Sequence, residues 1–129
     1  MFSSNVYDYV NVLKTSLDAT ATRNELLVNN IANVNTPNYK RKDLRFETEL
    51  KQAFLQSKGK SVDATVNTLD LKQLKPEVYT DYAELSYRYD GNNVDINTEN
   101  AILAKNQIKY QGLMASVNKE FANLLSVMK

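Results

Sequence analysis

Asp90, Asn92 and Asp95 come nearest to a metal-binding pattern in this chain. An EF-hand loop needs its glycine at the sixth position and a glutamate at the twelfth. Here Gly91 is second and Ala101 twelfth, so the stretch reads as a turn. Lys40, Arg41 and Lys42, with Arg45 close behind, form a run able to hold phosphate. Asp43, Glu47 and Glu49 dilute it, and a solvated or subunit-facing patch is the stronger reading. Tyr79, Tyr82, Tyr87 and Tyr89 have faces on which bases can stack, but tyrosine equally favours strands and protein interfaces, and packing takes the larger share. Cysteine and histidine are both absent. That closes off disulfides, thiolate metal sites and cysteine nucleophiles, together with the commonest general base and transition-metal ligand. Enzymes lacking both exist, but the two commonest routes to catalysis are closed; the expectation is a protein that is not an enzyme, with no catalytic residue, metal, cofactor, nucleic-acid partner or small-molecule substrate.

The polar residues concentrate instead as amides. Residues 29–39, Asn29-Asn30-Ile31-Ala32-Asn33-Val34-Asn35-Thr36-Pro37-Asn38-Tyr39, carry five asparagines around a Thr-Pro step. They close an apolar pattern that begins near Val6. Pro37 disfavours the helical conformation at Thr36, so the pattern has a specified end and the chain leaves it in a fixed direction. Asn38 is one of the few non-glycine types that tolerates positive φ, which suits a left-handed turn there.

Two long elements must position these groups. Over residues 3–35 the apolar positions Val6, Val10, Leu13, Leu17, Leu27, Ile31 and Val34 alternate in steps of four and three, and the gap falls on Thr20 and Asn24. This is a heptad seam with a polar centre. The pattern returns over 97–128 at Leu103, Asn106, Tyr110, Leu113, Val117, Phe121, Leu124 and Met128. Asp95 or Asn97 can cap its start, and Glu99 sits in the first turn, where the helix dipole favours a carboxylate. Run antiparallel, one register aligns both seams: Leu27 near Leu103, Leu17 near Leu113, Leu13 near Val117, and Asn24 opposite Asn106. A buried asparagine pair specifies register at a cost in stability, because a slipped pairing leaves an amide unsatisfied. The other reading leaves both asparagines in solvent; the matched register favours the pair. Gly112, which weakens a helix, suggests close approach of a neighbouring backbone.

Between these helices the signal weakens. Phe46, Leu50, Ala53 and Phe54 predict a short helix ended by Ser57-Lys58-Gly59-Lys60, while Val62 to Leu74 is poorly periodic and Pro76 breaks what precedes it. Leu85, Tyr87 and Tyr89 alternate with polar residues into Asp90-Gly91-Asn92-Asn93, and Val94 and Ile96 resume the alternation, which predicts a β-hairpin. The fold expected is therefore mainly α: long N- and C-terminal helices packed as an antiparallel coiled-coil-like pair, with a small middle segment holding a short helix and a β-hairpin. Residues 1–36 and 96–129 would form one domain, with 37–95 the small middle segment between them.

Net charge is +1, so no global field points to nucleic acid or an anionic membrane. No apolar run reaches the length of a membrane span or a signal-peptide core, and a cleaved signal is not expected. Leu26, Val28, Ile102, Ile108, Met114 and Leu125 lie off the seam and remain for other contacts. Head-to-tail contacts through different patches generate an open helical filament.

The run Asn29–Tyr39 resembles the N-terminal signature of the axial proteins of the bacterial flagellum, meaning its rod, hook and hook-associated subunits. Asn38 stands where that family usually has glycine. A second block, Asp90-Gly91-Asn92-Asn93-Val94-Asp95-Ile96-Asn97-Thr98-Glu99 followed by residues 104–111, is similar, together with the short chain, to the family's proximal-rod members. The resemblance covers roughly the first 50 and last 40 residues. It implies a structural subunit of the basal-body proximal rod that assembles into a hollow drive shaft needed for motility. It also implies an assembly motif at Asn30, Ile31, Ala32, Asn33, Thr36, Pro37, Tyr39, Asn93, Asp95, Asn106 and Tyr110. Implied partners are other rod subunits, the MS ring and its adaptor, the export gate and further copies of the chain. The implied location is the basal body on the periplasmic side of the inner membrane, reached by type III export without a cleaved signal peptide. The alternative is a cytoplasmic coiled-coil adaptor or flagellar export chaperone, for which neither Thr36-Pro37 nor the 90–98 block is needed.

Overall fold

A computed structural model describes residues 5–57, 60–82 and 88–128. In chain order the elements are α1 (Asn5–Ala32), β1 (Lys42–Arg45), α2 (Glu47–Gln56), α3 (Val62–Thr68), β2 (Glu77–Thr80) and α4 (Ile96–Met128). The two long helices of 28 and 33 residues run antiparallel, since Asn30 at the end of α1 meets Glu99 at the start of α4 while Thr20 meets Asn106 further along.

The expected register is kept, but the asparagine pair is not formed. Asn106 donates through Nδ2 to the Thr20 carbonyl at 3.0 Å. In an α-helix that carbonyl also accepts from the N–H of residue 24, so Asn106 lies level with Asn24 and takes the backbone instead of the side chain. Asn24 Oδ1 is left buried without a hydrogen-bond partner.

Apolar burial is concentrated at one end of the pair. Ala19, Leu44, Phe46 and Leu74 form the main cluster, with Leu26, Leu50, Ala53, Leu69 and Leu71 packed around it; Leu27, Val66 and Val94 are also buried. The core thus sits where the second half of α1 meets the middle segment, and it draws in Leu26, which the sequence left off the seam. Farther out the pair is thin: Leu13, Leu17 and Leu113 are only half-buried, and Phe121 and Met128 are exposed. Among the described residues nothing lies within 4 Å of where a Cβ at Gly112 would stand, so the expected close neighbour is not one of them.

Helix α2 begins at the expected phenylalanine. Phe46 occupies the position before its first turn, buries its ring in the cluster and accepts from the Leu50 N–H at 2.9 Å, while Glu47 and Glu49 supply first-turn carboxylates. Helix α3, for which periodicity gave no signal, is nucleated by its cap: the Ser61 side chain accepts from the Ala64 N–H at 3.2 Å.

The two-stranded antiparallel sheet is present but not where the alternation placed it. β1 pairs with β2 in the register Lys42↔Thr80 to Arg45↔Glu77. Val94 lies in an irregular segment and Ile96 opens α4; Leu85 and Tyr87 fall outside the described residues. The turn itself is real: the Gly91 N–H reaches the Arg88 carbonyl at 3.1 Å with Gly91 at φ 76°. No return strand follows because Asn92 and Asn93 commit their polar groups elsewhere. No described helix is long and apolar enough to cross a membrane.

A candidate assembly site where the two amide-rich blocks meet

Helix α1 ends at Ala32, and the next residues wind more tightly. Val34 N–H bonds the Ile31 carbonyl at 3.2 Å, and Thr36 N–H bonds that of Asn33 at 3.0 Å, both three residues back. The chain then reverses at Asn38, which adopts φ 61° as its residue type permits, and its N–H bonds the Asp90 carbonyl at 2.7 Å. Against this exit lies the turn 88–93. Asn92 is fully buried and donates through Nδ2 toward the carbonyls of Asn33, Val34 and Thr36 at 2.8, 3.0 and 2.9 Å, while its Oδ1 accepts from the Val94 N–H at 2.7 Å. Arg88 adds a second donor to the Val34 carbonyl at 2.7 Å and pairs with Asp90 at 2.9 Å.

Two further asparagines act as pieces of backbone. Asn30, also fully buried, gives Nδ2 to the Lys42 carbonyl at 2.7 Å and to Glu99 Oε2 at 3.2 Å, and takes the Lys42 N–H at 2.9 Å and the Tyr39 hydroxyl at 3.2 Å on Oδ1. It thereby closes the outer edge of β1 much as another strand would. Asn93 accepts the Arg41 N–H at 2.8 Å and donates to the Asp81 carbonyl at 2.7 Å, bridging the mouth of the ribbon beyond the last ladder pair.

At the centre lies Arg41. Its Nε donates to Glu99, Nη1 to Asp81 at 2.9 Å and Nη2 to Asp43 at 3.1 Å. Asp43 is in turn held by both arms of Arg23, at 2.8 and 3.1 Å, and by the Leu44 N–H at 2.7 Å. Burial alone would raise the Asp43 carboxyl, but hydrogen bonds from Arg23, the Leu44 amide and Arg41 hold it below its ordinary value. Burial works to lower Arg41, and the facing Glu99 and Asp81 outweigh it, so the guanidinium stays charged. The sequence placed the basic run in solvent or against another subunit. Arg41 is instead inside, Lys40 reaches the Gly91 carbonyl, and exposed Arg45 stacks 5.1 Å from the Tyr79 ring centre.

Of the motif residues, the structure brings Asn30, Asn33, Thr36, Tyr39 and Asn93 into this joint. Pro37 lies exposed on the exit; Ile31 is half-buried and Ala32 exposed. Asp95 stands beside the joint as the cap of α4, accepting from the Asn97 and Thr98 amides and the Thr98 hydroxyl. Asn106 and Tyr110 lie along α4; Tyr110 is 39% exposed and lines a groove with Asn24, Glu25, Gln107 and Gln111. Sequence reasoning missed Asn92, Arg41, Asp43, Asp81, Arg23 and Arg88, and it read Glu99 only as a dipole partner. The available signal was that Asn92 and Asn93 adjoin a glycine turn as a second amide-rich block. The polar groups of the joint are bonded to one another, so what it does chemically is hold: it fixes the end of α1, the start of α4 and the ribbon as one unit.

No family model matches the chain. Individual relatives do. It is 34% identical over 118 residues to the flagellar basal body rod protein FlgB of Bacillus subtilis, covering 90% of this chain and 89% of that protein. The chain belongs to the FlgB family of flagellar basal-body rod proteins. It is also 33% identical over 122 residues to FlgB of Borreliella burgdorferi, covering 87% of this chain and 88% of the relative. With FlgB of Escherichia coli it shares 28% identity over 121 residues, covering 88% of each. These spans exceed the two terminal blocks, so the likeness to FlgB proteins runs into the middle segment as well.

Proposed function

We propose that this FlgB-family chain builds the proximal part of the rod as a structural, non-catalytic subunit, packing with further copies and other rod subunits into a hollow shaft that transmits torque. Residues 1–36 and 96–129 would form the shaft-building unit, and 37–95 a small module oriented by the joint. Residues of the two amide-rich blocks act as the assembly motif by fixing that orientation. The base of such a shaft meets the MS ring, its adaptor and the export gate, on the periplasmic side of the inner membrane. The subunit would arrive through the flagellar exporter with residues 1–36 retained, because α1 contributes Ala19 and Leu27 to the core.

The observation that supports this most directly is the outer part of the helical pair. Phe121 is 49% exposed, Leu125 62%, Val127 84% and Met128 80%, large apolar side chains near the end of α4 that stand open to solvent in the single subunit. The test is fractionation of cells in which a tagged full-length chain replaces the native gene product. The chain should sediment with detergent-purified basal bodies and disappear from the periplasm when the export gate is disabled. Periplasmic delivery without the gate, or a chain confined to the soluble cytoplasm of motile cells, would refute the reading.

A further inference from the structure

Helix α1 stops at Ala32, so it gives up a turn that Pro37 does not forbid. A proline at 37 removes the N–H that would bond the Asn33 carbonyl and disfavours helix at Thr36, but it leaves residues 33–35 free to continue. They do not, and the reason lies in the geometry at Asn92. The carbonyls of Asn33, Val34 and Thr36 all come within 3.0 Å of one nitrogen. In a continuing α-helix successive carbonyls run parallel to the axis and are spread around it, so they cannot converge on a single donor. Convergence requires the tighter i→i−3 winding seen at Val34 and Thr36. The donor is itself fixed from behind: Asn92 Oδ1 takes the Val94 N–H, the Asn92 N–H bonds Asp90 Oδ1 at 3.1 Å, and the neighbouring turn presses on the exit so closely that a Cβ at Gly91 would fall 2.5 Å from Asn38 Oδ1.

We propose that the Asn92 carboxamide, a positioning residue delivered from the far end of the sequence, sets where α1 ends and the direction in which the chain leaves it, with Pro37 only barring continuation beyond. The two amide-rich blocks then make one joint, and the C-terminal block dictates the geometry of the N-terminal one. The expected consequence for assembly rests on the rod reading above; the helix-end claim does not.

The test uses the full-length free subunit. Asn92→Asp keeps the acceptor for the Val94 N–H but replaces the donor with an anion facing three carbonyls. Backbone chemical shifts and amide exchange are read at residues 33–36. With Asn92→Asp those shifts should change and amide protection there should fall at least tenfold, while α4 is unaffected. Pro37→Ala alone should leave the end at Ala32, and the double variant should extend helical shifts through residue 36 and beyond. The proposal is overturned if Pro37→Ala by itself lengthens α1, or if Asn92→Asp leaves residues 33–36 unchanged. Should the aspartate variant not fold, the unsubstituted protein decides: the Asn92 side-chain amide protons must exchange slowly, and exchange at the free-amide rate would overturn the claim. Motility separates the two readings. A shifted helix end in fully motile cells would refute the role of this exit in the rod and leave the helix-end claim standing.

Discussion

Arg41 and Glu99, 58 residues apart in sequence, meet in the interior through a direct Nε–H to carboxylate contact, and Glu99 has its other oxygen on Asn30. One carboxylate thus ties the start of α4 to both the end of α1 and the residue that leads into β1. Two guanidiniums, Arg23 and Arg41, face Asp43, Asp81 and Glu99, with the exposed Glu47 3.8 Å from Arg23, and the hydrogen-bonding amides around them supply the remaining donors.

Removing one partner of such a pair strands the other. Glu99→Gln keeps the shape but loses the charge and can present an NH2 group to Arg41. It should destabilise the subunit by about 3 kcal/mol, measured by urea unfolding at neutral pH. Replacing Arg41 and Glu99 together by leucine should cost less than the sum of the two single replacements, since each single one already breaks their contact.

Asp43 makes the fold acid-sensitive. Its folded pKa lies below the ordinary 3.8, so its contribution is complete above that value and is lost as pH falls through the lower folded one. Asp43→Asn should be less stable than the unsubstituted chain at pH 7, and the gap should narrow progressively below about pH 4. Denaturant titrations at a series of pH values check this; a gap independent of pH would contradict it.

The paired left-handed residues should respond in opposite ways. Gly91→Ala forces a Cβ onto Asn38 Oδ1 at a positive φ and should cost about 1–2 kcal/mol or more in a thermal melt. Asn38→Gly suits φ 61° and should be nearly neutral.

Leu125, 62% exposed, offers the converse case. Leu125→Ser should change the stability of the free subunit by no more than about 0.5 kcal/mol. It should nevertheless lower incorporation into basal bodies and shrink swimming zones, since what it removes is surface reserved for neighbours.

The long helices were legible because spacings of four and three persist over many turns, and their register was legible because two polar breaks had to coincide. What Asn106 bonds was not, since a backbone carbonyl leaves no mark on sequence. Alternation through Tyr87 and Tyr89 pointed to a hairpin, but a strand needs a partner ladder, and Asn92 and Asn93 spend their amides on the exit from α1 and on the Asp81 carbonyl instead. Arg41 sits between two lysines and reads as solvated; only three carboxylates arriving from positions 43, 81 and 99 bring it inside. Asn92 drew notice as a possible metal ligand, when its oxygen serves Val94 and its nitrogen serves a helix end.

The joint is made of contacts between residues far apart along the chain, with Asn30 and Glu99 separated by 69 positions and Asn92 and Asn33 by 59. Closing loops of that length costs entropy before any bond is gained, and the compensating bonds arrive together. A chain emerging from the ribosome therefore lacks the means to finish its first helix: until residue 99 is available, Arg41 has neither Glu99 nor Asp81 locked against it and the carbonyls at 33–36 have no cap. The joint is therefore expected to close only once residue 99 has been made, so the stretch from Asp81 to Glu99 carries the timing of the end of the first helix.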